Sequence, residues 1–438
     1  MAGKKRNTMK RRTIRRRDMD EELHACRFPS GLPAYLLPKP GFVKSFAILA
    51  TRYGSIDVEI DDPVSGRRRK IPPGVAHFLE HQQFEMEHGN ASEIYARLGS
   101  NVNAYTSYST TAYFFTATRR FTESLELLLE FVLKSHFTRE SVERERGIIE
   151  SELRGYEDSA GWRGFYNMTR ALYLKHPVKI DAGGSVGSIK KITRQLLSRC
   201  HELFYHPGNM VLVVCGDLRP DKIFRQVGNF LKRLSPPPFR PVKRYFPKEP
   251  KRVARKRITE KLDVAHPRLL LGFKDNAANL TGKKLARKVV EVRMALDLLF
   301  NRSAPAYSAF YETGLIDDSF SSGFDLDVGF GYAYLSGNTH SPGELQKRIL
   351  DVIKKARRSG FSNKDFKRVK SKLLGHSIRY FNSVESTANW LFANALIGIT
   401  HFDYLDELEK VTRAGVQRTF RQLFQPSASA ASIILPRK

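Results

Sequence analysis

Three consecutive prolines, Pro236-Pro237-Pro238, interrupt the chain near its middle, and the sequence beyond them repeats the sequence before them. Proline neither continues a helix nor donates to a sheet, so no regular element crosses the break. The repeat is faint but ordered. Ser135-His136-Phe137-Thr138 corresponds to Ser359-Gly360-Phe361-Ser362, and at the same offset of 224 residues Arg144 meets Arg368 and Ile149 meets Leu373. Leu125, Leu128 and Leu129 stand opposite Ile349, Val352 and Ile353. Pro207 before the apolar run Met210 to Cys215 parallels Pro426 before Ile433 to Leu435. The expected fold class is therefore α+β: two homologous α/β halves, each an antiparallel sheet flanked by helices, forming a clamshell-like chamber.

Composition supplies the boundaries. The 438 residues include 74 Lys and Arg against 45 Asp and Glu, for a formal net charge of +29. The basic residues are spread along most of the chain, with two dense runs, Lys4 to Arg17 and Lys248 to Arg257. The first reads as a disordered basic tail, residues 1–20. The second closes a Pro/basic linker, residues 235–257. Between and after them lie an N-terminal domain, 21–234, and a homologous C-terminal domain, 258–438. Such charge permits contact with nucleic acid or another acidic surface. No zinc-finger, RRM or KH pattern accompanies it, so nucleic acid is not the expected partner. No run of about 18 apolar residues is present, so no membrane span is expected. The basic start lacks an apolar core and is not a secretory signal; a mitochondrial transit peptide is the alternative. Cys26, Cys200 and Cys215 are few and far apart, which suits a reducing compartment, and the expected location is cytoplasmic.

Within the first half, Tyr35 to Leu37 and Phe46 to Tyr53 read as strands, and Gly74 precedes a helix. Val102 to Thr118, rich in Thr, Tyr and Phe, reads as a long strand or hairpin. Helices follow over Phe121–Leu133, Arg139–Tyr156, Trp162–Leu174, Thr193–Phe204 and Pro220–Leu234. The helix after Gly74 carries His77-Phe78-Leu79-Glu80-His81. On a helix the two imidazoles lie one turn apart on one face and can both reach one Zn²⁺. Glu80 beside them can take a proton from a water at such an ion. The pattern is H-x-x-E-H, the inverted order of the H-E-x-x-H zinc motif.

A catalytic zinc site takes three protein ligands and keeps one position open. The helix Arg139–Tyr156 offers candidates. Its core-facing stripe runs Val142, Ile148/Ile149, Leu153 and Tyr156, and Glu145 and Glu152 lie on or beside it. A carboxylate facing a core needs a partner, whereas Glu143, Glu150 and Glu157 fall on the solvent side. In the second half the corresponding positions are Val369 and His376, so the acidic pair belongs to the half that carries the motif. His136, His176, His201 and His206 sit near element ends, where capping or packing is the ordinary role.

These features together resemble the insulinase/pitrilysin-like zinc metallopeptidases, the inverzincins, and within them the half-length processing-peptidase-like branch. Further stretches carrying the resemblance are Val102-Asn103-Ala104-Tyr105-Thr106, His176-Pro177 and Tyr205-His206-Pro207-Gly208-Asn209-Met210. The resemblance implies that His77 and His81 are zinc ligands and Glu80 the general base. It implies that Glu152, about seventy residues downstream, is the third ligand, and that Glu145 is the second acid assisting the site. It implies that Asn103, Ala104 and Tyr105 form an edge strand taking the substrate backbone by strand addition. One stretch departs from the family. Where an R-x-x-x-G-L-x-Y motif is expected, this chain reads Phe310-Tyr311-Glu312-Thr313-Gly314-Leu315-Ile316-Asp317, with Phe310 in place of Arg and Asp317 in place of Tyr. The implied function is a zinc-dependent endopeptidase for flexible peptides, whose homologous partner subunit supplies the missing Arg and Tyr. A homodimer, a non-catalytic subunit of the same family and a nucleic-acid-associated basic protein are the alternatives.

Overall fold

The computed structural model describes residues 9–276, 280–327 and 329–437. The chain starts with β1 (Lys10–Arg16), β2 (Glu21–Arg27), β3 (Pro33–Pro38), β4 (Ser45–Thr51) and the short β5 (Glu59–Asp61) and β6 (Arg68–Lys70). Helix α1 (Val75–Gln82), the two-residue strands β7 (Glu85–Met86) and β8 (Gly89–Asn90) and α2 (Ala91–Leu98) follow. The hairpin β9 (Ser100–Thr106) and β10 (Thr111–Ala117) leads to α3 (Phe121–Leu133) and α4 (Arg139–Asp158). Next come α5 (Ala160–Leu172), α6 (Val186–Ile189), α7 (Arg194–Phe204), β11 (Met210–Gly216), α8 (Pro220–Leu234) and β12 (Lys243–Arg244). The remainder runs β13 (Arg257–Leu262), β14 (Arg268–Lys274), α9 (Gly282–Phe300), α10 (Pro305–Glu312), β15 (Ser321–Asp327) and β16 (Phe330–Asn338). It ends with α11 (Pro342–Ser359), α12 (Asn363–Arg379), α13 (Val384–Leu396), α14 (His401–Lys410), α15 (Arg413–Leu423) and β17 (Ser429–Pro436).

The duplication is visible in the sheets. The first has the order β1-β2-β3-β11-β4-β10-β9, and the second β13-β17-β14-β16-β15. In both, the strand that closes the repeat lies parallel to one neighbour (β11 to β3, β17 to β13) and antiparallel to the other. All remaining pairs of the two sheets are antiparallel. Five strands therefore match in order and direction, which is the two-half α+β architecture expected.

The chain divides into two compact units, but not at the prolines. The first comprises residues 1–150, 182–245 and 379–402; the second comprises 151–181, 246–378 and 403–438. This departs from domains at 21–234 and 258–438. Each unit holds a helix drawn from the other half of the sequence. In the first, α13 lies on β4 and β11 through Ala388, Leu391, Phe392 and Ala395. In the second, α5 lies on β14 and β17. Glycines allow that close approach: a Cβ on Gly272 would sit 2.8 Å from Leu172 Cδ1, and one on Gly164 2.6 Å from Leu270 Cδ1.

Two segments read as unstructured are ordered. Of the expected tail, residues 1–8 lie outside the described residues, while Lys10–Arg16 pairs with β2 over all seven residues. The acidic start of β2 compensates the basic strand: Arg15 Nε meets Glu22 at 3.1 Å, and Arg11 reaches Asp221 of α8 at 2.5 Å. A row of cations also blunts an exposed sheet edge. Within the expected linker, β12 pairs with β5, and Arg244 Nε meets the buried Asp57 at 2.8 Å. Farther on, Glu249 accepts hydrogen bonds from the N–H groups of Leu174, Lys175 and His176 (2.9, 2.7 and 2.8 Å) and pairs with buried Lys274 at 2.5 Å. The Lys274 ammonium spends its other protons on the carbonyls of Pro250 and Arg252. Burial tends to raise the Glu249 pKa, but Lys274 and the three N–H groups outweigh it and hold the carboxyl below its usual range. Composition marks this segment as a linker; Arg244 and Glu249 pin it down.

Filling the α5 contact should be costly. Gly272→Val forces Leu172 and Met168 aside, and urea unfolding should show a loss of about 1–3 kcal/mol. Gly375→Ala in α12, where a Cβ meets nothing within 4 Å, should instead raise stability by roughly 0.5–1 kcal/mol.

Candidate metal centre

Gly74 starts α1 with φ +94°, and a Cβ there would lie 2.4 Å from the Gly183 carbonyl oxygen. Only glycine combines that backbone with that approach. From this start Val75, Ala76, Phe78, Leu79 and Gln82 turn into the core, leaving His77, Glu80 and His81 on the partly exposed side. The two imidazole rings meet edge to face with centroids 4.8 Å apart.

Helix α4 supplies the acids. Thr138 and Ser141 cap its start reciprocally: Ser141 N donates to Thr138 Oγ1 (3.0 Å) and Thr138 N to Ser141 Oγ (3.2 Å). Ser141 Oγ also accepts from Gln82 Nε2 at 2.8 Å, which ties the end of α1 to the start of α4. The buried stripe runs Val142, Glu145, Ile149 and Leu153, with Glu152 and Tyr156 half-buried beside it. Ile148, expected to share the stripe, is 48% exposed; Ile149 alone faces the core. Glu143 and Glu157 are exposed, as read from the helical phase.

Along this unbroken helix the structure brings Glu152 to the two histidines. One donor atom from each of His77, His81 and Glu152 lies within 4.8 Å of the other two. Two imidazoles and a carboxylate are a catalytic zinc set. Bonds of about 2.1 Å require each donor to close by at most roughly 0.7 Å toward their common centre. The residues present therefore fit the ion. Glu145, two turns before Glu152, places Oε2 3.4 Å from His81 Nδ1, which leaves the other ring nitrogen of His81 for a metal. The Tyr156 hydroxyl donates to Glu152 Oε1, and its ring stacks on Trp162 with centroids 4.3 Å apart.

Glu80 does not join the donor set. Its Oε2 accepts a hydrogen bond of 2.6 Å from Thr106 Oγ1, at the end of β9. β9 is the edge strand of the first sheet, and among the described residues only β10 pairs with it. Asn101, Asn103 and Tyr105 face outward, and Val102, Ala104 and Thr106 inward. Asn103 Oδ1 accepts from the Ala104 N–H at 2.7 Å. Thr106, Tyr156, Gln82 and Ser141 escaped the sequence reading as site residues. Thr106 was within reach, since strand alternation sets it on the opposite face from Asn103 and Tyr105.

His176, His201 and His206 have structural duties. His176 and His206 accept from the N–H groups of Val178 (3.1 Å) and Gly208 (2.9 Å). His201 Nε2 donates to the Val132 carbonyl at 3.1 Å, and burial pushes its pKa down to about 4, so the ring is neutral. Phe310 is buried in the core of the second unit. Asp317 closes the next turn, accepting from the Ser319 N–H at 2.9 Å and from Asn338 Nδ2 at 3.2 Å. Neither position offers an Arg or a Tyr.

The profile of the insulinase family, peptidase family M16, matches residues 69–182, and that of the peptidase M16 inactive domain matches residues 191–373. The uncharacterized zinc protease YmfH of Bacillus subtilis is 35% identical over 92% of this chain and 94% of its own length. The zinc protease PqqE of Helicobacter pylori is 24% identical over 89% of each chain. Among solved structures, an M16-like peptidase from Alicyclobacillus acidocaldarius aligns with a TM-score of 0.90 and 31% identity, over 98% of this chain and 99% of that one. A protease from Helicobacter pylori shares the fold, with a TM-score of 0.79 at 20% identity over 98% and 99% of the two chains.

If Glu145 orients His81, its loss should weaken metal binding without abolishing it. Titration of the Glu145→Ala apoprotein with Zn²⁺ should show affinity lower by roughly 10- to 100-fold. Unchanged affinity would remove Glu145 from the site.

Proposed function

The chain belongs to the insulinase-like M16 family of peptidases, and from that premise we propose that it is a zinc-dependent endopeptidase. The observation that carries this reading is the convergence of His77, His81 and Glu152 within 4.8 Å. Those three residues would hold the ion. Bound there, zinc lowers the pKa of water toward about 7 and polarises the scissile carbonyl. Glu80 takes a proton from the attacking water and returns it to the leaving amine. Glu145 holds His81 in the orientation that its ligand role needs. Asn103, Ala104 and Tyr105 lie on the outer strand of the sheet, so an extended peptide adds beside them through its own backbone. That mode selects flexible peptides over folded proteins. The three cysteines are free and buried, which supports a reducing compartment, the cytoplasm.

Phe310 and Asp317 favour a second element of the proposal. Family active sites add an Arg and a Tyr that hold the substrate carbonyl and the developing oxyanion, and these two residues do neither. The chain then acts with a homologous partner that supplies them, in a heterodimer rather than a homodimer. The same departure is what a non-catalytic subunit would show, and the retained Glu80 argues against that reading, since a scaffold needs no general base.

Glu80→Gln should keep one zinc per chain and cut hydrolysis of an unstructured peptide by roughly 10²- to 10⁴-fold. Unchanged cleavage would favour the non-catalytic reading. The purified wild-type chain should cleave poorly alone and faster when mixed with a homologue carrying Arg and Tyr at the positions of Phe310 and Asp317. Full activity of a strict monomer would refute the partner.

A further inference from the structure

We propose that Thr106 is the positioning residue for Glu80, its single hydroxyl proton aimed at the carboxylate. The inference rests on the reading of Glu80 as general base and adds what holds that base in place.

Thr111 lies directly across the hairpin from Thr106 and is fully buried. Its Oγ1 donates to the Tyr53 carbonyl at 3.0 Å, and a carbonyl only accepts, so the one proton of Thr111 is committed and points away from Thr106.

Thr106 has one hydroxyl proton of its own to give. Two acceptors are within reach: Glu80 Oε2 at 2.6 Å and Thr111 Oγ1 at 3.4 Å. The first is short and charge-assisted; the second is too long for a formed O–H···O bond. Thr106 therefore donates to Glu80.

The position in sequence gives this a second consequence. Thr106 follows Asn103, Ala104 and Tyr105 on one strand, with its side chain on the opposite face from those of Asn103 and Tyr105. The strand proposed to take the peptide backbone on its outer edge thus grips the general base from its inner face. A peptide that orders the edge also fixes the grip.

Thr106→Val keeps the shape and removes the hydroxyl. It should lower kcat by about 10- to 100-fold, leave KM and zinc content unchanged, and let the Glu80 carboxylate turn away in a crystal structure of the variant. Thr106→Ser restores the hydroxyl and should recover kcat to within a few-fold of wild type. A Thr106→Val enzyme of full kcat would overturn the assignment, and so would a Thr106→Ser variant as impaired as Thr106→Val. Activity persisting in Glu80→Gln would instead defeat the underlying reading of Glu80, so the two failures are distinguishable.

Discussion

One hydrogen bond between two helices underlies the site. Gln82, at the end of α1, donates to Ser141, in the first turn of α4, and both side chains are buried. Neither helix alone brings together a donor set. α1 contributes two imidazoles, and α4 two acids one heptad apart on the stripe that faces them. Clamping the end of one helix to the start of the other sets which turns of α4 lie beside His77 and His81. Ser141 has no spare valence in this role: it accepts from Gln82 and from the Thr138 N–H, and donates to the Thr138 carbonyl. Around this clamp, Gln83 donates to the carbonyls of Phe131 and Val132 at 2.9 Å each, satisfying groups that the last turn of α3 leaves open.

His81, Glu152 and Glu80 are each in turn held by a side chain that does no chemistry itself. Glu145 addresses His81, Tyr156 addresses Glu152, and Thr106 addresses Glu80. Metal sites and proton-transfer sites both need this, because an imidazole or carboxylate left to its own rotamers spends little time in one productive pose. The supporting residues come from two elements, α4 and the edge strand β9. Glu80 and the donor set are therefore braced from different elements, and a change to one brace need not disturb the other.

Much of this was legible in sequence. The His77–His81 spacing, the helical phase that turned Glu145 and Glu152 inward, and the ordered repeat across Pro236-Pro237-Pro238 all depend on local periodicity, which a single sequence carries directly. What stayed hidden depends on distant partners. Lys10–Arg16 looked like a tail because its neutralising acids, Glu22 and Asp221, come from another strand and another helix. The exchange of α5 and α13 between units was invisible because an amphipathic helix does not say which sheet it covers; the small residues Gly164 and Gly272 were the only local trace. Phe310 and Asp317 depart from a family motif, and the structure accounts for both locally, one as core and one as a turn closure.

Whether one ion joins the two helices decides the function of this chain. Diffraction from zinc-soaked crystals, recorded on both sides of the zinc absorption edge, measures that directly. The result expected is a single anomalous peak per chain within bonding distance of His77, His81 and Glu152, with Glu80 outside that distance. A zinc-saturated crystal whose anomalous peak lies elsewhere, with these three side chains left uncoordinated, would contradict it.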